Sequence, residues 1–223
     1  MTLATVLLAG LVVPGCTTLA GLAPLPYTAV PPSCPYEDVI QYNGDSIGLQ
    51  WAAYGRVPGY ARFDAAQGGS GFVFSAFPTI GSRVRQWIEQ CGVPDAVVIS
   101  GGGNDIGHGE YVASIKQAIA ELGPWLAERG VPTVWVTVEP WPADSIYQRF
   151  DPQRRELNDW LLAGGAGWGT VADIGPALGG ATLNPDFWVW ATANRVDSHP
   201  NAAGLTAAAA VVDAAITSVL PNN

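Results

Sequence analysis

The run Ala96-Val97-Val98-Ile99 is apolar at every position. A strand with one face in water alternates apolar and polar residues, whereas a strand covered by helices on both faces does not. This run therefore reads as the middle of a parallel sheet, and it constrains the fold more than any other feature. Pro132 to Val138 repeats the pattern, and Asp38 to Tyr42 is a shorter version of it. Tyr60 to Ala65 and Gly169 to Ile174 read as two further strands. Between them lie helical patterns. Ile80, Val84, Trp87 and Ile88 share one face of a helix over 80–90, which Gly92 stops. Val112, Ile115, Ile119, Leu122 and Leu126 form the stripe of a longer helix over 111–129. Ile47 to Tyr54, Pro152 to Leu162 and Asn201 to Leu220 complete the set. Strand and helix alternate five times, which predicts an α/β fold with a parallel sheet covered on both faces. Ligands bind such sheets outside the carboxyl ends of the strands.

A length of 223 residues suits one domain, and a 48% hydrophobic content supplies its core. The net charge is −9 and Lys116 is the sole lysine, so phosphates find no basic footprint and no nucleic acid partner is expected. Only His108 and His199, with Cys16, Cys34 and Cys91, are available as soft ligands, and no Cys-x-x-Cys or His-x-x-x-His pair occurs. A His/Cys zinc site is not expected, and neither is a cofactor.

Residues 3–15 are apolar but fall short of the roughly 20 that span a bilayer. They suit the h-region of a secretory signal. Val13-Pro14-Gly15-Cys16 is similar to a bacterial lipobox, in which Cys16 would be lipidated after cleavage. No Lys or Arg precedes the run, and Pro14 is unusual inside a lipobox. A plain signal peptide or the stub of an upstream membrane helix is the alternative. The expected organisation is a signal or lipoprotein-like segment over 1–16, a Pro/Ala/Thr-rich tether over 17–35 and a domain over 36–223. The expected location is outside the cell, secreted or tethered to the bacterial envelope through the N-terminus. In an oxidising compartment Cys34 and Cys91 are a disulfide candidate, the alternative being two separate buried thiols.

Four segments carry chemistry. Asn43-Gly44-Asp45-Ser46-Ile47-Gly48 puts a serine at a strand-to-helix turn. Gly68-Gly69-Ser70-Gly71 is a turn whose N–H groups can approach a ligand closely. Gly102-Gly103-Asn104-Asp105 holds an amide at a strand end, and Asp197-Ser198-His199-Pro200-Asn201 precedes the terminal helix. Each has a bland reading as a turn, a helix cap or a surface histidine. No Gly-x-x-x-x-Gly-Lys-Ser/Thr string supports phosphate binding.

In this order the four blocks resemble those of the SGNH/GDSL hydrolase superfamily, over about Asp38 to Leu220. The resemblance implies a three-layer α/β/α, flavodoxin-like fold with a central five-stranded parallel sheet. It implies a serine esterase with Ser46 as nucleophile and His199 as base. Ser46 N–H, Gly71 N–H and the Asn104 side-chain amide would form the oxyanion hole, with Gly68 the second choice to Gly71. One such donor is worth about 2.7–4 kcal/mol in the transition state. Asp45 and Asp105 are expected to brace their turns.

One position departs from the family pattern, which has Asp three residues before the catalytic His. Here Val196 stands there, and Asp197 lies two before. Two residues is a poor spacing for facing side chains on a helix, though it can serve in an irregular loop. Asp197 as orienting acid is the first expectation. A backbone carbonyl or another acid such as Asp186 is the second, and a weakened enzyme the third. His108 is expected to face solvent near the cleft. Trp141, Trp188 and Trp190 are expected in late loops, where aromatics could hold a sugar or acyl chain, with core packing as the default.

The expected substrate is a small-molecule or glycan ester, such as an acetylated carbohydrate, a lysophospholipid or an acyl thioester. No long apolar lid segment is visible, which favours short acyl groups. A monomer is expected. An O-acyltransferase acting on an envelope glycan could use the same residues, and a surface-binding module is the non-catalytic alternative.

Overall fold

In a computed structural model of the protein, residues 34, 37–74, 77–143, 145–180, 188–191 and 195–221 are described, with side chains for all but 188–191 and 195–198. The expectations for Cys16, the apolar run, the tether and Asp186 lie outside these residues.

Five strands form the sheet: β1 (Val39–Asn43), β2 (Ala61–Asp64), β3 (Ala96–Ser100), β4 (Thr133–Val136) and β5 (Thr170–Ala172). Their order is β2-β1-β3-β4-β5 and every pairing is parallel. The unbroken apolar run in β3 is divided between two cores, because successive strand residues face opposite sides. Val97 and Ile99 pack into one core with Val84 and Ile88 of α2 (Ile80–Cys91) and Ile119 and Leu126 of α4 (Val112–Ala127). Leu157 and Leu161 of α5 (Asp151–Leu162) join them. Ala96 and Val98 pack on the other side with Trp51 of α1 (Ser46–Ala52) and Leu205, Val212 and Ile216 of α6 (Ala202–Val219). Ala96, Val97, Val98 and Ile99 are each at most 1% exposed, as burial on both faces requires. The three-layer α/β/α architecture is therefore as expected.

Cys34 and Cys91 form a disulfide, their Cα atoms 5.1 Å apart, which ties residue 34 to the last residue of α2. The helix boundaries follow local chemistry. Thr79 caps α2 by accepting from Ser82 N–H at 3.3 Å, and Gly92, at φ 90°, lies just past its end. Asn201 caps α6 by accepting from Ala203 and Gly204 N–H at 2.9 and 3.1 Å.

Two features were not foreseen. A short helix, α3 (Gly103–Gly107), begins immediately after the Gly101-Gly102 turn. Trp188–Ala191 and Arg195–Pro200, expected as irregular late loops, are instead strands β6 and β7 of an antiparallel pair. Asp197, Ser198 and Pro200 are poor strand formers by propensity, and the cross-strand ladder overrides that preference.

The chain runs from β1 outward to β2 and then crosses back to β3, so the strand order reverses between β1 and β3. A crevice opens at the carboxyl ends of the two strands flanking such a reversal. The segment bearing Ser46 leaves β1 there, and the segment bearing Asn104 leaves β3 there.

Candidate active site

Ser46 is the first residue of α1, and Asp45 is its cap. The Asp45 carboxylate accepts from Ile47 and Gly48 N–H at 3.0 and 3.3 Å, which fixes the turn. Glycine stands two residues to either side of the serine. A Cβ at Gly44 or Gly48 would run into Ser100 Oγ at the end of β3. Close approach of the two strand ends is thus written into the spacing Gly44-x-x-x-Gly48.

His199 comes from the other end of the chain, at the junction of β7 and α6. Its Nε2 lies 2.9 Å from Ser46 Oγ, across 153 residues of sequence. That is the contact a serine nucleophile makes with its general base. Asp197 lies two positions earlier in β7, and its side chain is outside the described residues.

The Gly68–Gly71 loop flanks the serine. A Cβ on Gly68 would sit 3.6 Å from Ser46 Cβ, so this glycine lies against the nucleophile. Gly71 is pressed against Asp105 and the Phe74 carbonyl, where no side chain fits. Asp105 is fully buried and accepts from Phe72, Val73 and Phe74 N–H at 2.9, 2.7 and 2.8 Å. Its carboxylate holds the loop just after Gly71, a bracing contact as expected. Asn104, in the first turn of α3, donates one Nδ2 hydrogen to Ser70 O at 2.9 Å. The amide that could meet an oxyanion is thereby registered on the residue preceding Gly71.

His108 is exposed. Its Nδ1 lies 2.8 Å from Asn104 O, and its ring stacks on Phe74 with centroids 3.7 Å apart. It therefore closes the end of α3. Trp141 does not line an open loop. It is 4% exposed within the α2–α4–α5 core and donates Nε1–H to Glu139 Oε1 at 3.3 Å. Trp188 and Trp190 lie in β6, with side chains outside the described residues.

Two site residues escaped the sequence reading. Glu139 follows the carboxyl end of β4 and is 7% exposed. Burial pushes its carboxyl up to about 8, helped by the nearby Asp45 charge and opposed by His199. Burial also raises Asp45, against the two backbone N–H groups that favour its charged form. Glu139 and Asp45 line the same cavity of ≈ 10 Å³ with Ser100, Thr137 and Trp51, a space the size of about one water molecule. An acid just past a strand's carboxyl end, where such sheets bind ligands, was the available signal. Arg83 is the second missed residue. It falls on the inner face of α2 beside Val84 and is 3% exposed. A charge inside an apolar stripe was its signal.

Comparison with known proteins gives the family and the fold. Residues 43–207 match the family model of the GDSL-like lipase/acylhydrolase family. Among curated proteins none matches at the sequence level. A GDSL-like lipase from Bacteroides thetaiotaomicron superposes with a TM-score of 0.65 at 19% identity, over 82% of this chain and 90% of that one. A lipolytic protein of the G-D-S-L family from Veillonella parvula gives 0.61 at 16%, over 78% and 95%. The OSK domain of Drosophila Oskar gives 0.57 at 14%, over 82% and 90%. At these identities the likeness is one of fold.

Proposed function

For a chain that belongs to the GDSL-like lipase/acylhydrolase family, an ester-hydrolysing group of enzymes, we propose a serine esterase acting through an acyl-enzyme on Ser46. The observation that carries this reading is the 2.9 Å contact between Ser46 Oγ and His199 Nε2. Ser46 Oγ attacks the ester carbonyl carbon while its proton passes to His199 Nε2. The tetrahedral oxyanion accepts from Ser46 N–H, Gly71 N–H and Asn104 Nδ2–H. Collapse breaks the bond to the leaving oxygen, which takes the proton from His199. Water, deprotonated by the same nitrogen, then releases the acid and restores Ser46.

Asp197 is the acid assigned to orient His199. It stands two positions before His199 in β7, the acid of this chain nearest to that histidine in sequence. The substrate class proposed is a short-chain ester, including acetylated carbohydrate. The Cys34–Cys91 disulfide supports an oxidising, extracytoplasmic location.

Hydrolysis of an aryl-ester chain-length series by wild type, His199→Ala and Asp197→Asn tests these assignments. Acetyl and butyryl esters should turn over fastest. His199→Ala should lose at least about 10³-fold in kcat, and Asp197→Asn up to about 10⁴-fold through the wrong imidazole tautomer. Strong loss in the first variant with almost none in the second would remove Asp197 from the mechanism.

A further inference from the structure

Among the described contacts, Arg83 donates four hydrogen bonds, and two of them reach residues adjacent to the proposed donors. Its Nη2 donates to Gly44 O at 2.8 Å, its Nε to Ala65 O at 3.1 Å, and its Nη1 to Ser70 Oγ and Pro78 O at 2.7 Å each. Gly44 immediately precedes the Asp45-Ser46 turn. Its carbonyl also accepts from Gln67 N–H at 2.9 Å, so one oxygen joins the nucleophile turn to both the loop and the guanidinium. Ser70 immediately precedes Gly71, and its carbonyl receives Asn104 Nδ2–H.

We propose that Arg83 is the positioning residue of the oxyanion hole, setting the spacing between the nucleophile turn and the Gly68–Gly71 loop from behind. This rests on the serine-esterase reading above and deepens it. The three proposed donors come from three separate segments, the start of α1, the Gly68–Gly71 loop and the first turn of α3. Ser46 is registered on Arg83 through Gly44, Gly71 through Ser70, and Asn104 through the Ser70 carbonyl. A planar guanidinium presents its donors in a fixed fork, so it holds partners at defined separations. An ammonium has three donors on one nitrogen and lacks the fixed fork by which separate guanidinium nitrogens reach Gly44 O, Ala65 O and Ser70 Oγ. Arginine is also the more weakly hydrated cation, which suits a group 3% exposed among carbonyl oxygens. Misplacement by about 1 Å at a catalytic centre costs on the order of 10²-fold in rate. The effect belongs in kcat, because an oxyanion exists in the transition state and not in the bound ester.

The test compares wild type, Arg83→Lys, Ser70→Ala and Ser46→Ala on a short aryl ester. It also measures inhibition by an alkylboronic acid, which forms a tetrahedral anion on a serine oxygen. Arg83→Lys should lower kcat by about 10²-fold with KM within about threefold, and weaken boronate inhibition in proportion to kcat/KM. Ser70→Ala, which removes one of the four contacts, should lower kcat by about tenfold. If Arg83→Lys does not fold, the kcat and boronate shifts of Ser70→Ala decide the matter. A merely structural arginine would lower the melting temperature and leave kcat and boronate affinity of the folded fraction unchanged. That result, in a wild type whose turnover depends on Ser46, overturns the role of Arg83 and leaves the esterase reading standing. Wild-type turnover that survives Ser46→Ala overturns both.

Discussion

At the scale of single residues, two buried carboxylates do different work because their surroundings differ. Asp105 receives three backbone N–H groups and holds the loop beyond Gly71. Asp105→Ala strands those donors in a buried site, at about 1–3 kcal/mol for each that water does not reach. We expect a loss of at least about 2 kcal/mol in urea denaturation, accompanied by a fall in kcat. Glu139 is instead neutral over much of the physiological range, since burial pushes it up to about 8. Its folded-state value lies above the unfolded one, so the unfolded chain releases the proton first as pH rises. The contribution of Glu139 to stability is therefore fully present below the ordinary carboxylate range and is lost as pH climbs through about 8. Asp45 and His199 are the titrating groups that act on it. Glu139→Gln should flatten the decline in unfolding free energy between about pH 5 and pH 8. An unchanged slope, measured by denaturant titration at several pH values, would show that Glu139 does not carry this dependence.

Among the elements, those that carry an apolar pattern of their own, sheet strands included, were legible, and the β6–β7 pair, which carries none, was not. The α4 stripe from Val112 to Leu126 is buried at each of its five positions, as its spacing demands. β6 and β7 exist because they pair with each other, and nothing local in Asp197-Ser198-His199 announces a strand. The disulfide acts at this scale. It links residues 57 apart and closes the β1–β2–α2 portion of the chain. The chain-entropy model assigns a loop of that length about 4 kcal/mol. Reduction, or Cys91→Ser, should lower the urea midpoint accordingly, and an unchanged midpoint would mean that the crosslink does not constrain the unfolded state.

Taken whole, the molecule brings Ser46 and Asn104 to the carboxyl ends of β1 and β3, where the strand order reverses. Ser46, Asn104 and His199 could be found in the sequence because each lies in a short string that resembles a family block, and at Ser46 the string is also held locally, Asp45 accepting from Ile47 and Gly48 N–H. Arg83 and Glu139 could not, because their partners are distant in sequence. Arg83 meets Gly44 across 39 residues, and Glu139, past the carboxyl end of β4, feels the charges of Asp45 and His199. The charge of the whole chain fits a neutral ester better than a phosphate ligand. It carries −9 overall, and its single lysine is paired with Glu156 at 2.7 Å. The most direct measurement of the central claim is mass spectrometry of the protein quenched during turnover of an aryl acetate. The account predicts one acetyl group on the peptide containing Ser46, accumulating in wild type and absent from Ser46→Ala, which should not turn over. An acetyl group on another residue, or undiminished turnover by Ser46→Ala, would contradict it.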